Sequence, residues 1–114
     1  MNFLSVMQAF SLNDLLATRA ASGKLYQEFL RVPALSAGIY GLAAGAVDRQ
    51  SPHDQDEIYY VISGCAHFRV ADEDRPIHPG DTLYVAAQVP HKFHTITEDL
   101  TLLVFFAPAE GEKG

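Results

Sequence analysis

The run Gly45-Ala-Val-Asp-Arg-Gln-Ser51-Pro52-His53-Asp-Gln55-Asp-Glu57-Ile-Tyr-Tyr-Val-Ile-Ser63-Gly64 begins and ends on turn residues and closes with β-branched and aromatic side chains. That composition reads as a β-strand, in which alternate side chains share a face. With a period of 2, His53, Gln55, Glu57, Tyr59 and Val61 fall on one side, and Ile58, Tyr60 and Ile62 on the other. An ionised carboxylate among apolar neighbours is costly unless a metal or another cation compensates it, which singles out Glu57. A second segment, Pro79-Gly80-Asp81 followed by Pro90-His91, brings another imidazole. Two nitrogens and one carboxylate converging inside a sheet structure form the ligand set of a divalent metal with open positions.

Outward from this core the same punctuation recurs. Turn signals stand at Gly45, Ser51-Pro52, Ser63-Gly64, Asp72 to Asp74, Pro76, Pro79-Gly80-Asp81, Pro90 and Thr97 to Asp99, with short β-rich runs between them. This spacing predicts an all-β sandwich or barrel of antiparallel strands, with a core over about residues 26–107. Tyr26 to Val32 reads as its first strand, ended by Pro33. Before it, Ser11-Leu-Asn-Asp14 supplies cap candidates and Gly23 a stop, which predicts a short N-terminal helix over about residues 11–22 with Leu12, Leu15 and Leu16 as its apolar stripe. One domain accounts for all 114 residues.

Ser63-Gly64 reads as a two-residue hairpin loop, in which 60 opposes 67 and 57 opposes 70. Glu57, Tyr59, Val61, Ala66, Phe68 and Val70 then line one face, and Ile58, Tyr60, Ile62, Cys65, His67 and Arg69 the other. His67 therefore points away from the candidate metal. His91 would share its face with Phe93 and Thr95, leaving His94 outward, while His78 precedes a turn and reads as structural. Ser51 and Gln55 share the parity of His53 and could occupy or hydrogen-bond near an open coordination position, but a solvated polar loop is the simpler reading of both.

Composition excludes other classes. Only eight Lys and Arg against fourteen Asp and Glu, a net charge of −6, argue against nucleic acid and against an anionic membrane surface. No apolar run approaches the ~18 residues of a bilayer span. The single cysteine, Cys65, forms no internal disulfide, and the start MNFLSVMQAF has neither the basic region nor the small-residue cleavage site of a signal peptide, so a cytoplasmic protein is expected. There is no nucleophile elbow, phosphate loop, CxxC or HExxH.

The two segments together resemble the cupins. The first cupin motif is Gly, five residues, His-x-His, three or four residues, Glu, six residues, Gly; Gly45, His53, Glu57 and Gly64 fall in register with it. The second brings a His after a Pro-Gly-Asp turn, matched by Pro79, Gly80, Asp81 and His91. The resemblance covers residues 36–107. Ser51 stands where the family has its first His, Ala86 and Gln88 replace a usual Pro and Gly, and Thr95 a common Asn. The resemblance implies a double-stranded β-helix, or jelly-roll barrel, with His53, Glu57 and His91 holding a divalent ion: iron, zinc, nickel or manganese. Cupins run several kinds of reaction, so the resemblance selects none; two His and one carboxylate with open positions suit iron(II) and O2 chemistry, and a metal-dependent enzyme acting on a small organic molecule, an oxygenase being one form, is expected. The alternatives are a non-catalytic module that binds or senses a small molecule, and a barrel filled by side chains without metal. Finally, Ile58, Tyr60 and Ile62 make the outer face too apolar for water across its width, which predicts a homodimer.

Overall fold

The structure, a computed structural model, describes residues 6–111. Helix α1 (Leu12–Ser22) leads into β1 (Tyr26–Val32), β2 (Leu35–Leu42), β3 (Asp56–Val70), β4 (Glu73–Ile77), β5 (Thr82–Val85) and β6 (His91–Ala107). Every strand pairing is antiparallel, in the order β1-β2-β6-β3-β4, with β5 on the same edge of β3 as β4. Gly23 ends the helix in the left-handed conformation, while Ser11 accepts the first helical hydrogen bond through its carbonyl from Leu15 N, not through its hydroxyl. Helix α1 buries none of its residues; Arg19 anchors it by donating from Nε to the Leu25 carbonyl, its guanidinium lying against Gly41.

The barrel follows from two unusually long strands. β3 and β6 pair from Asp56↔Ala107 at one end to Val70↔His91 at the other. A flat ribbon rising about 3.3 Å per residue would hold Glu57 roughly 43 Å from the Val70–His91 end. Instead Glu57 Oε1 lies 3.1 Å from His91 Nε2, so the ribbon doubles over on itself. The apolar faces of its two halves, among them Tyr59, Val61, Phe68, Phe93, Leu102, Val104 and Phe106, meet as a buried core.

The expected hairpin at Ser63-Gly64 is absent: β3 continues through it as one bent strand. The pairing with β6 slips between Val61 and His67, and Gly64 takes φ +100 there. An extra residue in a strand switches the facing parity just as a two-residue loop does. That is why the expected faces are observed despite the wrong connection: Glu57, Tyr59, Val61, Ala66 and Phe68 are buried, while Ile58, Tyr60 and Arg69 are exposed. The bend is where the doubling-over occurs. Thr97 to Asp99 likewise lie within β6, and Pro76 within β4 opposite His67, instead of forming turns. Thr95 does not join the His91 and Phe93 face: at φ 50 it breaks the alternation, is itself exposed, and hands the inward position to Ile96.

Candidate metal centre

His53, Glu57 and His91 come together, each offering a ligand atom within 4.8 Å of the others. Glu57 and His91 reach the interior from strand ends, and both side chains are 2% exposed. His53 arrives differently from the sequence expectation. It is not on a strand but in the loop before β3, so pleat parity does not place it. Contacts with the β5–β6 loop do. The His53 carbonyl accepts from Gln88 N (2.7 Å), Asp54 accepts from the Gln88 side chain (2.6 Å), and Asp56 from Ala87 N (2.9 Å). The His53 ring packs edge-on against Phe106 and 5.8 Å from the His91 ring.

The electrostatics of the three residues would suit a cation. Glu57 Oε1, although close to His91, has no well-aligned hydrogen-bond partner among the described residues, and a buried carboxylate oxygen left so is expensive. His91 Nδ1 is bound to the Val89 carbonyl at 2.8 Å, which directs Nε2 into the site. Burial opposes a charged His91, but the Glu57 carboxylate and the Val89 carbonyl outweigh it and hold the imidazole above its ordinary value of 6.5. A cation at Nε2 can therefore replace a proton that the surroundings already favour. These donors fit a borderline divalent ion.

Around them lies a cavity of about 130 Å³ bounded by Tyr26, Tyr40, Gln50, Tyr59, Val104, Phe106 and Glu110 as well as by His53 and Glu57. Ser51 is exposed and lies outside this lining, and Gln55 is buried but does not line it either. Gln50 does. Its amide nitrogen donates to Asp48 Oδ2 (2.7 Å), so Oε1 faces inward, 3.4 Å from His53 Nε2 and accepting the Tyr59 hydroxyl at 2.9 Å. Buried Asp48 also takes the Tyr40 hydroxyl and Phe93 N, tying the loop to β2 and β6. Glu110 Oε2 approaches His53 Nδ1 at 3.5 Å. Glu110 is held there by its own N donating to buried Ser36 and by its carbonyl accepting from Arg31. Burial is the main force raising the Glu110 carboxyl, partly offset by His53. Burial likewise keeps Tyr26, Tyr40 and Tyr59 protonated, as donors. The Tyr26 hydroxyl has no hydrogen-bond partner among the described residues, and its ring fits only because Gly38 beneath it has no Cβ.

The cupin domain family matches residues 38–106, so the chain belongs to the cupins. It is 49% identical over 104 residues to an uncharacterized protein of Streptomyces coelicolor, covering 91% of this chain and 99% of that one. Among solved structures, KdgF from Halomonas sp. superposes with a TM-score of 0.66 at 25% identity, covering 73% of this chain and 76% of that one. TT1209 from Thermus thermophilus superposes at 0.71 and 23% identity, covering 90% and 99%. Among the described residues no helix is long and apolar enough to cross a membrane.

Proposed function

We propose that this cupin holds one divalent metal ion through His53, Glu57 and His91 and uses it as an enzyme on a small, oxygen-bearing organic molecule. The observation that carries the reading is Glu57 Oε1, buried without an aligned hydrogen-bond partner among the described residues and within reach of two imidazoles. Gln50 Oε1 takes the place of the missing family histidine as an oxygen donor, which explains how the chain dispenses with a His at Ser51. When bound, the ion polarises an oxygen of the substrate or supports O2 chemistry. The chain's own residues do the rest. Glu110 orients the His53 ring, and the free Tyr26 hydroxyl donates to an acceptor on the substrate. Tyr59 and Glu110 stand beside the cavity as the groups able to hold or pass a proton. Their presence favours an enzyme over a module that only binds or senses a ligand. In this reading the protein works as a homodimer.

The test begins with elemental analysis of protein purified without added metal. About one equivalent is expected in the wild type, and His53→Ala and His91→Ala should each lose it while keeping the far-ultraviolet circular dichroism of the barrel. Stoichiometric metal in the double variant would sink the site. An O2-uptake screen after anaerobic reconstitution with iron(II) then separates oxygenase chemistry from ligand binding alone.

A further inference from the structure

On the side of β3 and β6 facing away from the core, a second group of the same chemical type assembles from three neighbouring strands. His67 on β3 and His94 on β6 are direct cross-strand partners. Asp74 on β4 opposes Arg69, two residues along β3 from His67, so it reaches the pair diagonally. His94 Nε2 stands 2.9 Å from both Asp74 oxygens, and His67 Nδ1 is 3.9 Å from Oδ1. The two rings lie 5.4 Å apart. The three side chains are between 28% and 45% exposed, open to an ion from solvent.

We propose that His67, Asp74 and His94 form a surface site for a zinc- or nickel-class divalent ion, independent of the interior centre. Tetrahedral coordination at about 2.0–2.1 Å separates ligand atoms by roughly 3.3 Å. Here all three lie within 4.8 Å, so His67, the most exposed, need only swing inward by a rotamer adjustment. Thr95, turned back by its φ of 50, puts Oγ1 3.0 Å from His94 Nδ1; its hydroxyl donates to Nδ1 while Nε2–H points at Asp74, and accepts Nδ1–H once an ion takes Nε2, so either tautomer of the ring is held in place. Because the ligands stand on three paired strands, binding pins β4 to the β3–β6 ribbon without moving the backbone. Arg69, 3.4 Å from Asp74 Oδ2, competes with the ion for that carboxylate and holds the affinity down.

Zinc titration of chelator-stripped full-length protein by calorimetry tests this. The wild type should take two zinc ions and His91→Ala one. Adding His67→Gln or His94→Gln to His91→Ala should weaken the remaining site by about tenfold or more. Arg69→Gln should tighten it, and zinc should raise the Tm of the His91→Ala protein. If His91→Ala fails to fold, the wild type answers by proton NMR: the His67 and His94 ring signals must shift together on adding zinc. Signals unmoved by excess zinc, or zinc binding indifferent to His67→Gln and His94→Gln, would overturn the surface site. Two zinc ions retained by His91→Ala, one of them lost with His67→Gln, would instead sink the interior reading and leave this one standing.

Discussion

Metal and protons compete for the imidazoles of His53 and His91, because only the neutral ring ligates. The sign follows directly. Affinity is greatest where the rings are deprotonated and falls as pH drops; for His91 the fall begins above its ordinary value of 6.5, because Glu57 and the Val89 carbonyl favour its protonated form in the metal-free site. Glu57→Gln removes the only charged ligand, so it should weaken binding at every pH while leaving the histidine-linked step in place. Isothermal titration between pH 5 and 8 checks both, and a flat profile would argue against histidine ligation. At this scale Glu57 was legible because charge on an apolar face is rare enough to need an explanation. His91 was legible from its Pro-Gly-Asp turn and its strand parity. Gln50, Asp48 and Glu110 were not, since each depends on a loop or a segment after the last strand brought in from far along the chain. A buried Asp and a half-buried Gln two residues apart carry no periodic signal.

Strand periodicity survives an error of connection, as the stretch around Gly64 shows. A bulge and a two-residue loop produce the same alternation of buried and exposed residues, so only the pairing partners tell them apart, and those lie some thirty-five residues away on β6. Strand β1 was legible to the residue because Pro33 stops it; β3 and β6 were not, because Ser63-Gly64 and Thr97 to Asp99 look like turns and are bends within strands. The bend has a specific requirement at Gly64. A Cβ there would collide with the Asp99 carbonyl oxygen and fall 2.7 Å from Leu100 Cα, backbone atoms that cannot swing aside, and φ +100 disfavours any L side chain. Gly64→Ala should therefore destabilise the fold by about 2–4 kcal/mol. Urea unfolding measures it, and a loss below about 1 kcal/mol would mean that the bend relaxes without cost. Gly80→Ala is the control: its φ is also positive, at +94, but nothing lies within 4 Å of a new Cβ, so the smaller loss reports backbone strain alone.

For the whole molecule, what remains uncovered is more telling than what is packed. Helix α1 lies over β1 and β2, at the far edge of the sheet from β4 and β5. The outer face of β5, β3 and β6 is left with Tyr84, Ile58 and Phe105 in a single row across three strands, and Tyr60 beside them. Tyr84 is 61% exposed and the other three between 37% and 41%. A contiguous row of this size on a rigid sheet marks an interface more often than a solvated wall. Twofold symmetry satisfies it most simply, since the row is then its own partner. The N-terminal arm adds a further apolar element, with Val6 and Met7 largely exposed and Phe10 packed edge-on against Phe29 at 4.8 Å. Light scattering at micromolar concentration should give 25 kDa, twice the 12.5 kDa of the chain. Ile58→Lys and Tyr60→Lys should each return it to 12.5 kDa with the barrel intact, because their side chains face outward and a charge there disturbs no core contact. A wild-type mass of 12.5 kDa would refute the dimer outright. A dimer indifferent to both lysines, but lost when residues 1–10 are removed, would move the interface from this face to the N-terminal arm.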